Sequence, residues 1–293
     1  MQTVRPEVAV GVAARPTLVP AGRPVDEARH ALRIFARLVA LRYKARLMYP
    51  AAYVSFLIAK LVGYVSEYAV LLLLLSRFKT IAGWTLPELL LLHSLNVISY
   101  TLAASFVYHV ARNIEQYVVT GELDTVLLQP VHPLVWLSGY FYSPTYVSQT
   151  ILGLGVLYFA ATQLGVGWGV AMVLRLVVMI VGATFLQAAL FLLSSSVTFW
   201  TVRGRNITDA LLSLRNLVSF PVSIYGTGVR LLLTFVVPVA FISYYPAGLL
   251  LRRPEFTAVA PLVVAAPLVG FALFGAALWL WHRALRAYSG SGS

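Results

Sequence analysis

The stretch PAAYVSFLIAKLVGYVSEYAVLLLLL, residues 50 to 75, decides the fold. Its only charges are Lys60 and Glu67, and its length exceeds the roughly 20 apolar residues a helix needs to cross a hydrocarbon core. The unbroken run Leu71 to Leu75 excludes a transmembrane β-strand, which would alternate apolar and polar residues. Working outward, comparable blocks recur at about 88 to 110, 134 to 164, 171 to 200, within 207 to 250, and 258 to 281. With 60% hydrophobic and 11% charged residues and a mean hydropathy of +0.83, a soluble core accounts for one or two such blocks but not for all of them. The prediction is an all-α integral membrane protein with six transmembrane helices over residues 50 to 286.

The formal net charge of +12 does not point to nucleic acid, because 9 of the 22 basic residues precede residue 50 and none flanks a nucleic-acid motif. Residues 1 to 25 hold Pro6, Pro16, Pro20 and Pro24 without an apolar signal core, and are expected to form a disordered cytoplasmic tail. Over 26 to 48 the spacing predicts an amphipathic interfacial helix. Asp26 and Glu27 suit its N-terminus, Arg29, Arg33 and Arg37 form a basic stripe, and Ile34, Leu38, Leu41 and Ala45 form the adjoining apolar face. Such a helix sets its three arginines among anionic lipid headgroups. Arg112, Arg203, Arg205, Arg283 and Arg286 on one side outweigh Arg77, Lys79, Arg252 and Arg253 on the other, which predicts both termini on the cytoplasmic side of the plasma membrane. Arg175 reads as an anchor near an outer helix end. Residues 287 to 293, closing in SGSGS, read as a linker-like tail.

Cysteine is absent, so disulfides, a thiol nucleophile and cysteine-based metal sites are excluded. The five histidines, at 30, 93, 109, 132 and 282, are too scattered to predict a metal site. None of the three lysines, Lys44, Lys60 and Lys79, stands in a phosphate-binding loop, and neither HExxH nor GxSxG occurs. No catalytic constellation and no cofactor is therefore expected in this chain. Polar residues inside spans are costly, and those present are candidates for function. Lys60, Tyr64, Glu67 and Tyr68 share one face of the first span, His93, Asn96 and Tyr100 one of the second, and Gln187 and the run Ser194 to Ser196 stand in the fourth span. Three readings stay open: a lined translocation route, structural pairing of Lys60 with Glu67, and proton coupling.

The one long polar interruption is RNIEQYVVTGELDTVLLQPVHP, residues 112 to 133. Ile114, Tyr117 and Val118 share the face of a helix continuing from the second span, Gly121 suits its C-terminal cap, and Glu122, Leu123 and Asp124 open a second short turn. Pro130 and Pro133 stop it, giving a compact elbow over 111 to 133. Leu123, Leu127 and Leu128 with an acidic rim of Glu115, Glu122 and Asp124 fit a docking surface; a loop packed on its own bundle is the other reading. The fifth segment carries Pro221, Gly226, Gly228, Pro238 and Pro246, too many breaks for one helix. A short span near 206 to 221 followed by re-entrant helices over about 222 to 250 is the preferred reading, and a tilted span over about 222 to 245 the other.

The stretches IEQYVVTGELDTVLLQPVHPL (114 to 134) and FPVSIYGTGVRLLLTFVVPVAFISYYPAGLLL (220 to 251) resemble the permease subunits of ABC-2 type ATP-binding-cassette exporters. The resemblance in layout extends from about residue 28 to 286. It implies a six-span permease with an interfacial N-terminal helix, a cytoplasmic coupling helix after the second span and outer re-entrant helices between spans five and six. It further implies two separate ATPase subunits that carry ATP and magnesium, and a second permease, identical or paralogous, forming the route. By that resemblance the elbow from Ile114 to Leu128 enters a cleft of the ATPase, with Glu122 and Asp124 pairing to basic residues and Leu123 and Leu127 supplying buried contact. A self-sufficient ion- or proton-coupled secondary transporter, built on Lys60, Glu67 and His93, is the alternative.

Overall fold

A computed structural model describes residues 24–201, 204–217, 219–257 and 260–288. Most of the expected N-terminal tail, Arg203 and the closing SGSGS lie outside the described residues. All regular elements among the described residues are helical, and the one extended pairing is an isolated bridge between Ile81 and Trp84.

Helix α1 spans Pro24–Leu47 and α2 spans Pro50–Arg77, opened by Pro50, whose missing N–H costs nothing in a first turn. Helix α3, Leu86–Val119, starts at a capping box in which the Thr85 backbone N–H and hydroxyl both donate to the Glu88 carboxylate at 2.8 and 2.9 Å. Two short helices follow, α4 at Glu122–Leu127 and α5 at Pro133–Tyr140. Then come α6 at Val147–Gln163, α7 at Val170–Thr201 and α8 at Gly204–Leu217. A broken pair, α9 (Thr227–Val236) and α10 (Val239–Leu250), bends by 78°, and α11 at Ala260–Ala287 completes the described helices.

Four of these, α2, α3, α7 and the Val264–Ala287 part of α11, are long and apolar enough to cross a membrane, and the bent pair makes up to five. The chain is a multi-pass helical membrane protein. Two of the six expected spans are not single helices. The expected third span, 134 to 164, breaks at a 3-10 turn over Pro144–Tyr146. Pro144 has no N–H to donate and drives Ser143 into extended backbone, so Ser143 instead donates its N–H to the Ser105 carbonyl at 3.1 Å. What remains, α6, has 17 residues and rises only about 26 Å, short of a full core of about 30 Å. The fifth segment divides into α8 and the bent pair, with breaks at Pro221, Gly226 and Pro238, while Gly228 and Pro246, also expected to interrupt it, lie inside helical turns.

The enclosed element is α3: 89% of its most apolar window is buried, against 11% for α2, which lies on the outside of the bundle. A π-turn over Ala104–Tyr108 bulges α3 midway, the kind of local unwinding that frees a carbonyl. The Ser105 carbonyl that receives the Ser143 N–H lies in this turn. The closest backbone approach joins α7 to α11. A Cβ on Gly270 would stand 2.0 Å from the Gly182 carbonyl oxygen, and one on Gly182 2.4 Å from Pro267 Cα. Small residues of this kind let membrane helices gain dispersion contact where no hydrophobic driving force separates protein from lipid.

Gly270→Ala is therefore expected to force α7 and α11 apart and to lower stability in detergent by ~1–3 kcal/mol. Gly155→Ala, whose Cβ would meet nothing within 4 Å, is expected to leave it unchanged. Thermal unfolding of the two purified variants beside the parent checks this.

Candidate functional site

The elbow is built by the tight reversal at its centre. Thr120 closes α3 with an N–H donated to the Gln116 carbonyl at 2.9 Å. Gly121 then takes φ +73°, a left-handed conformation that glycine adopts without Cβ strain. Helix α4 starts at once, with the Asp124 N–H donating to the Gly121 carbonyl at 3.1 Å and the Thr125 hydroxyl to the Glu122 carbonyl at 2.6 Å.

Part of the expected docking set turns inward. Ile114, Leu123 and Val126 are buried in one cluster with Leu137, Trp281 and Ala284, so they build the elbow and are not its surface. Glu115 is not a free rim charge. Its carboxylate accepts the Arg205 backbone N–H at 2.9 Å in the first turn of α8, where unsatisfied N–H groups favour an anion. Beside it, Arg112 pairs with Asp209 of α8. Asp124 lies next to Tyr288 at the end of α11, where burial first and that carboxylate second hold the phenol above its usual range. Tyr117 meets Phe141 edge to face at 5.4 Å. Facing outward are Glu122, Leu127 at 41% exposure, Leu128 at 79% and Val119 at 64%. Val119 joins this outer set unforeseen. It ends α3 because Gly121 reverses the chain two residues on.

The elbow is also fastened at its far end. His132 caps α5 by accepting the Leu134 N–H on Nδ1 at 3.2 Å, and its ring lies 4.6 Å from that of His282 on α11. Burial, and then the neighbouring His282, push the His132 pKa below its ordinary value.

Inside the bundle the polar candidates separate into two groups. Glu67 and His93 approach to 3.4 Å and line a cavity of about 290 Å³ with Val70, Leu71, Asn216, Ser219 and Phe220. The His93 ring is buried, and its Nδ1 has no hydrogen-bond partner among the described residues. Tyr68 supports this site from behind: its ring lies edge-on to His93 at 4.8 Å and its hydroxyl meets the Ser94 hydroxyl at 3.1 Å. The second group holds the helices together. Gln187 on α7 donates to the Asn96 carbonyl and side-chain oxygen at 3.3 Å each and lies 3.1 Å from the Ser99 hydroxyl, while Asn96 reaches Ser219 at 3.4 Å. Tyr100 belongs to an aromatic cluster with Tyr108, Tyr146 and Phe191. Ser194 to Ser196 return their hydroxyls to their own helix, and Thr208 ties α8 to Ser194 at 2.9 Å.

Among the described residues no ion pair joins Lys60 to Glu67. Lys60 instead stands 4.3 Å over the Tyr146 ring, a cation–π contact, and Tyr64 packs half-buried against both core clusters. On α1, Arg29, Arg33 and Arg37 are exposed, as the stripe requires, while Leu38 and Phe35 press onto Gly139 of α5.

Residues 61–292 match the family described as ABC-2 family transporter protein. No curated protein and no solved structure matches the chain.

Two outcomes follow from this geometry. Leu123→Ala leaves a void among Ile114, Val126 and Leu137, and is expected to cost about 2–5 kcal/mol in thermal unfolding. Because the His132 pKa is lowered on folding, the unfolded chain binds the extra proton more readily, so stability is full above about pH 6.5 and falls as pH drops below it. His132→Gln is expected to flatten that fall in unfolding measurements between about pH 7 and 5.

Proposed function

This chain belongs to the ABC-2 transporter family, and we propose that it is the membrane-spanning permease subunit of an ATP-driven exporter. Two permeases, two copies of this chain or this chain with a paralogue, enclose the route. Two separate ATPase subunits bind ATP and magnesium and supply the work. The positive-inside pattern supports a plasma-membrane setting with the elbow and both termini in the cytoplasm, and α1 rests its arginine stripe on anionic lipid.

The tip of the elbow carries this reading. Leu127 and Leu128 stand exposed beside Glu122 on a turn whose neighbours Ile114, Glu115, Leu123 and Val126 are fastened to the bundle. A rigid support with an apolar, acid-edged tip is what a force-bearing contact requires: the tip is free to be covered and its base does not give. The docking role falls to Glu122, Leu127, Leu128 and Val119, while Ile114, Glu115, Tyr117, Gly121, Leu123 and Asp124 shape and brace the elbow. In the route, Glu67 and His93 face the cavity, and Lys60, Tyr64, Tyr68, Asn96, Tyr100 and Gln187 position the helices around it.

The Glu67–His93 pair also favours a second reading, a proton-coupled carrier acting without an ATPase, because the two groups hold a titratable contact beside a cavity. Gradient-driven flux through the chain reconstituted alone supports that reading, and flux that appears only with an ATPase partner and ATP removes it.

Leu127→Arg with Leu128→Arg is expected to fold like the parent and to weaken co-purification with the ATPase subunit about thirtyfold, as loss of a central contact of about 2 kcal/mol does. Unchanged assembly together with unchanged ATP-stimulated transport sinks the docking assignment.

A further inference from the structure

Between the interfacial helix and the base of the elbow lies a second cavity, of about 450 Å³, that shares no lining residue with the one beside Glu67 and His93. Arg42 and Arg46 of α1 line it from one side, His109 of α3 from another, and Tyr142 and Ser143 close it behind α5. No carboxylate is among its lining residues. Arg42, Arg46, Lys60 and Arg112 all lie close enough to His109 to act on it electrostatically, so the cavity gathers the field of four cations. Arg112 is compensated by Asp209. Among the described residues, no carboxylate comes within ion-pair distance of Arg42, Arg46 or Lys60. The opposing charge nearest in effect is Glu122, which acts on Tyr117 at the elbow edge of the cavity.

The cations are also oriented. Arg42 donates Nε to the Tyr140 carbonyl and lies 4.2 Å over the Tyr140 ring, which fixes its guanidinium and leaves the terminal amino groups for the cavity. Arg46 lies 5.9 Å over Phe56 at the start of α2. The Tyr142 hydroxyl is held by Tyr43 at 3.4 Å, and the Ser143 hydroxyl by Thr145 at 2.8 Å. A planar guanidinium held as that of Arg42 is matches the paired oxygens of a phosphate, the exposed Arg46 adds a second charge, and neighbouring hydroxyls add neutral donors. The height agrees: Arg42 and Arg46 stand in the last turns before Pro50 opens the first span, at the level of lipid headgroups.

We propose that this cavity is a binding site for a phosphate group, held by Arg42 and Arg46 with Tyr142 and Ser143. Occupied, it joins α1 to α5 and to Tyr117 of the elbow helix through one anion. The assignment stands independently of the ATPase-docking role. Two sources offer the same chemistry, the headgroup of a phosphate-bearing lipid and a soluble phosphate compound.

Purified full-length chain, delipidated and then offered phosphatidic acid, is compared by native mass spectrometry with the Arg42→Gln/Arg46→Gln variant. A control, Arg283→Gln/Arg286→Gln, removes the same number of charges from α11, outside the cavity. In a second arm, inorganic pyrophosphate is titrated into the proteins held in phosphatidylcholine nanodiscs. The expected result is about a tenfold loss of phosphatidic acid in the cavity variant and retention within about twofold in the α11 control. The same contrast confined to pyrophosphate assigns the site to a soluble phosphate compound. Equal losses in both variants, or no loss in either arm, overturn the proposal. Arg46→Gln alone, which leaves the Arg42 contact to Tyr140 intact, decides the matter if the double variant does not fold, with the same loss expected in direction and its absence overturning the site.

Discussion

Every break in a membrane helix leaves backbone groups that lipid cannot satisfy, and in this protein the breaks are answered by α3 or by the segments packed against it. The Ser143 N–H, displaced by Pro144, finds the Ser105 carbonyl within the π-turn of α3. At the other end of α3, Arg253 binds Glu88 at 3.0 Å and the Gly83 carbonyl at 3.2 Å, and lies 4.4 Å over the buried Trp84 ring. This one guanidinium pins the loop after the bent pair to the N-terminus of the central helix. Within the irregular segment, Tyr225 donates its hydroxyl to the Leu217 carbonyl at 2.8 Å, and Thr234 meets Tyr245 at 3.2 Å. The broken backbone survives on partners supplied in part by α3 and in part by the irregular segment itself.

That arrangement has a mechanical consequence. The elbow end of α3 is braced against α8 twice, through Arg112 to Asp209 and through Glu115 to the Arg205 N–H. The other end of α8 carries Asn216 to the wall of the cavity that Glu67 and His93 line. The elbow end of α3 is thus joined to α8 by one ion pair and one hydrogen bond, and α8 runs as a single helix from them to the polar cavity. The outward apolar face of α2, by contrast, packs on little within the chain.

The elbow was legible in the sequence where local chemistry decides, and not where packing does. Gly121 announces a left-handed cap, and Pro130 and Pro133 announce a stop, because those residues restrict the backbone whatever surrounds them. Leu123 and Leu128 are chemically identical and five positions apart, yet one is wholly buried and the other 79% exposed. Their difference arises from Leu137 and Trp281, distant in the chain, which stand over one side of α4. Glu115 reads as surface charge by type, and becomes a helix cap only because α8 begins beside it.

The sequence by itself determined the class of this protein and the places where its helices must break. Apolar length, charge asymmetry, glycine and proline each act through solvent or through the local backbone, and neither depends on what packs nearby. The tertiary structure alone decided which polar residues face one another. Lys60 went to the Tyr146 ring and Glu67 to His93, although Lys60 and Glu67 share a helical face. Away from water a charge or amide takes whichever partner the packing brings within reach. That choice is made between helices remote in the chain, where sequence spacing carries no information.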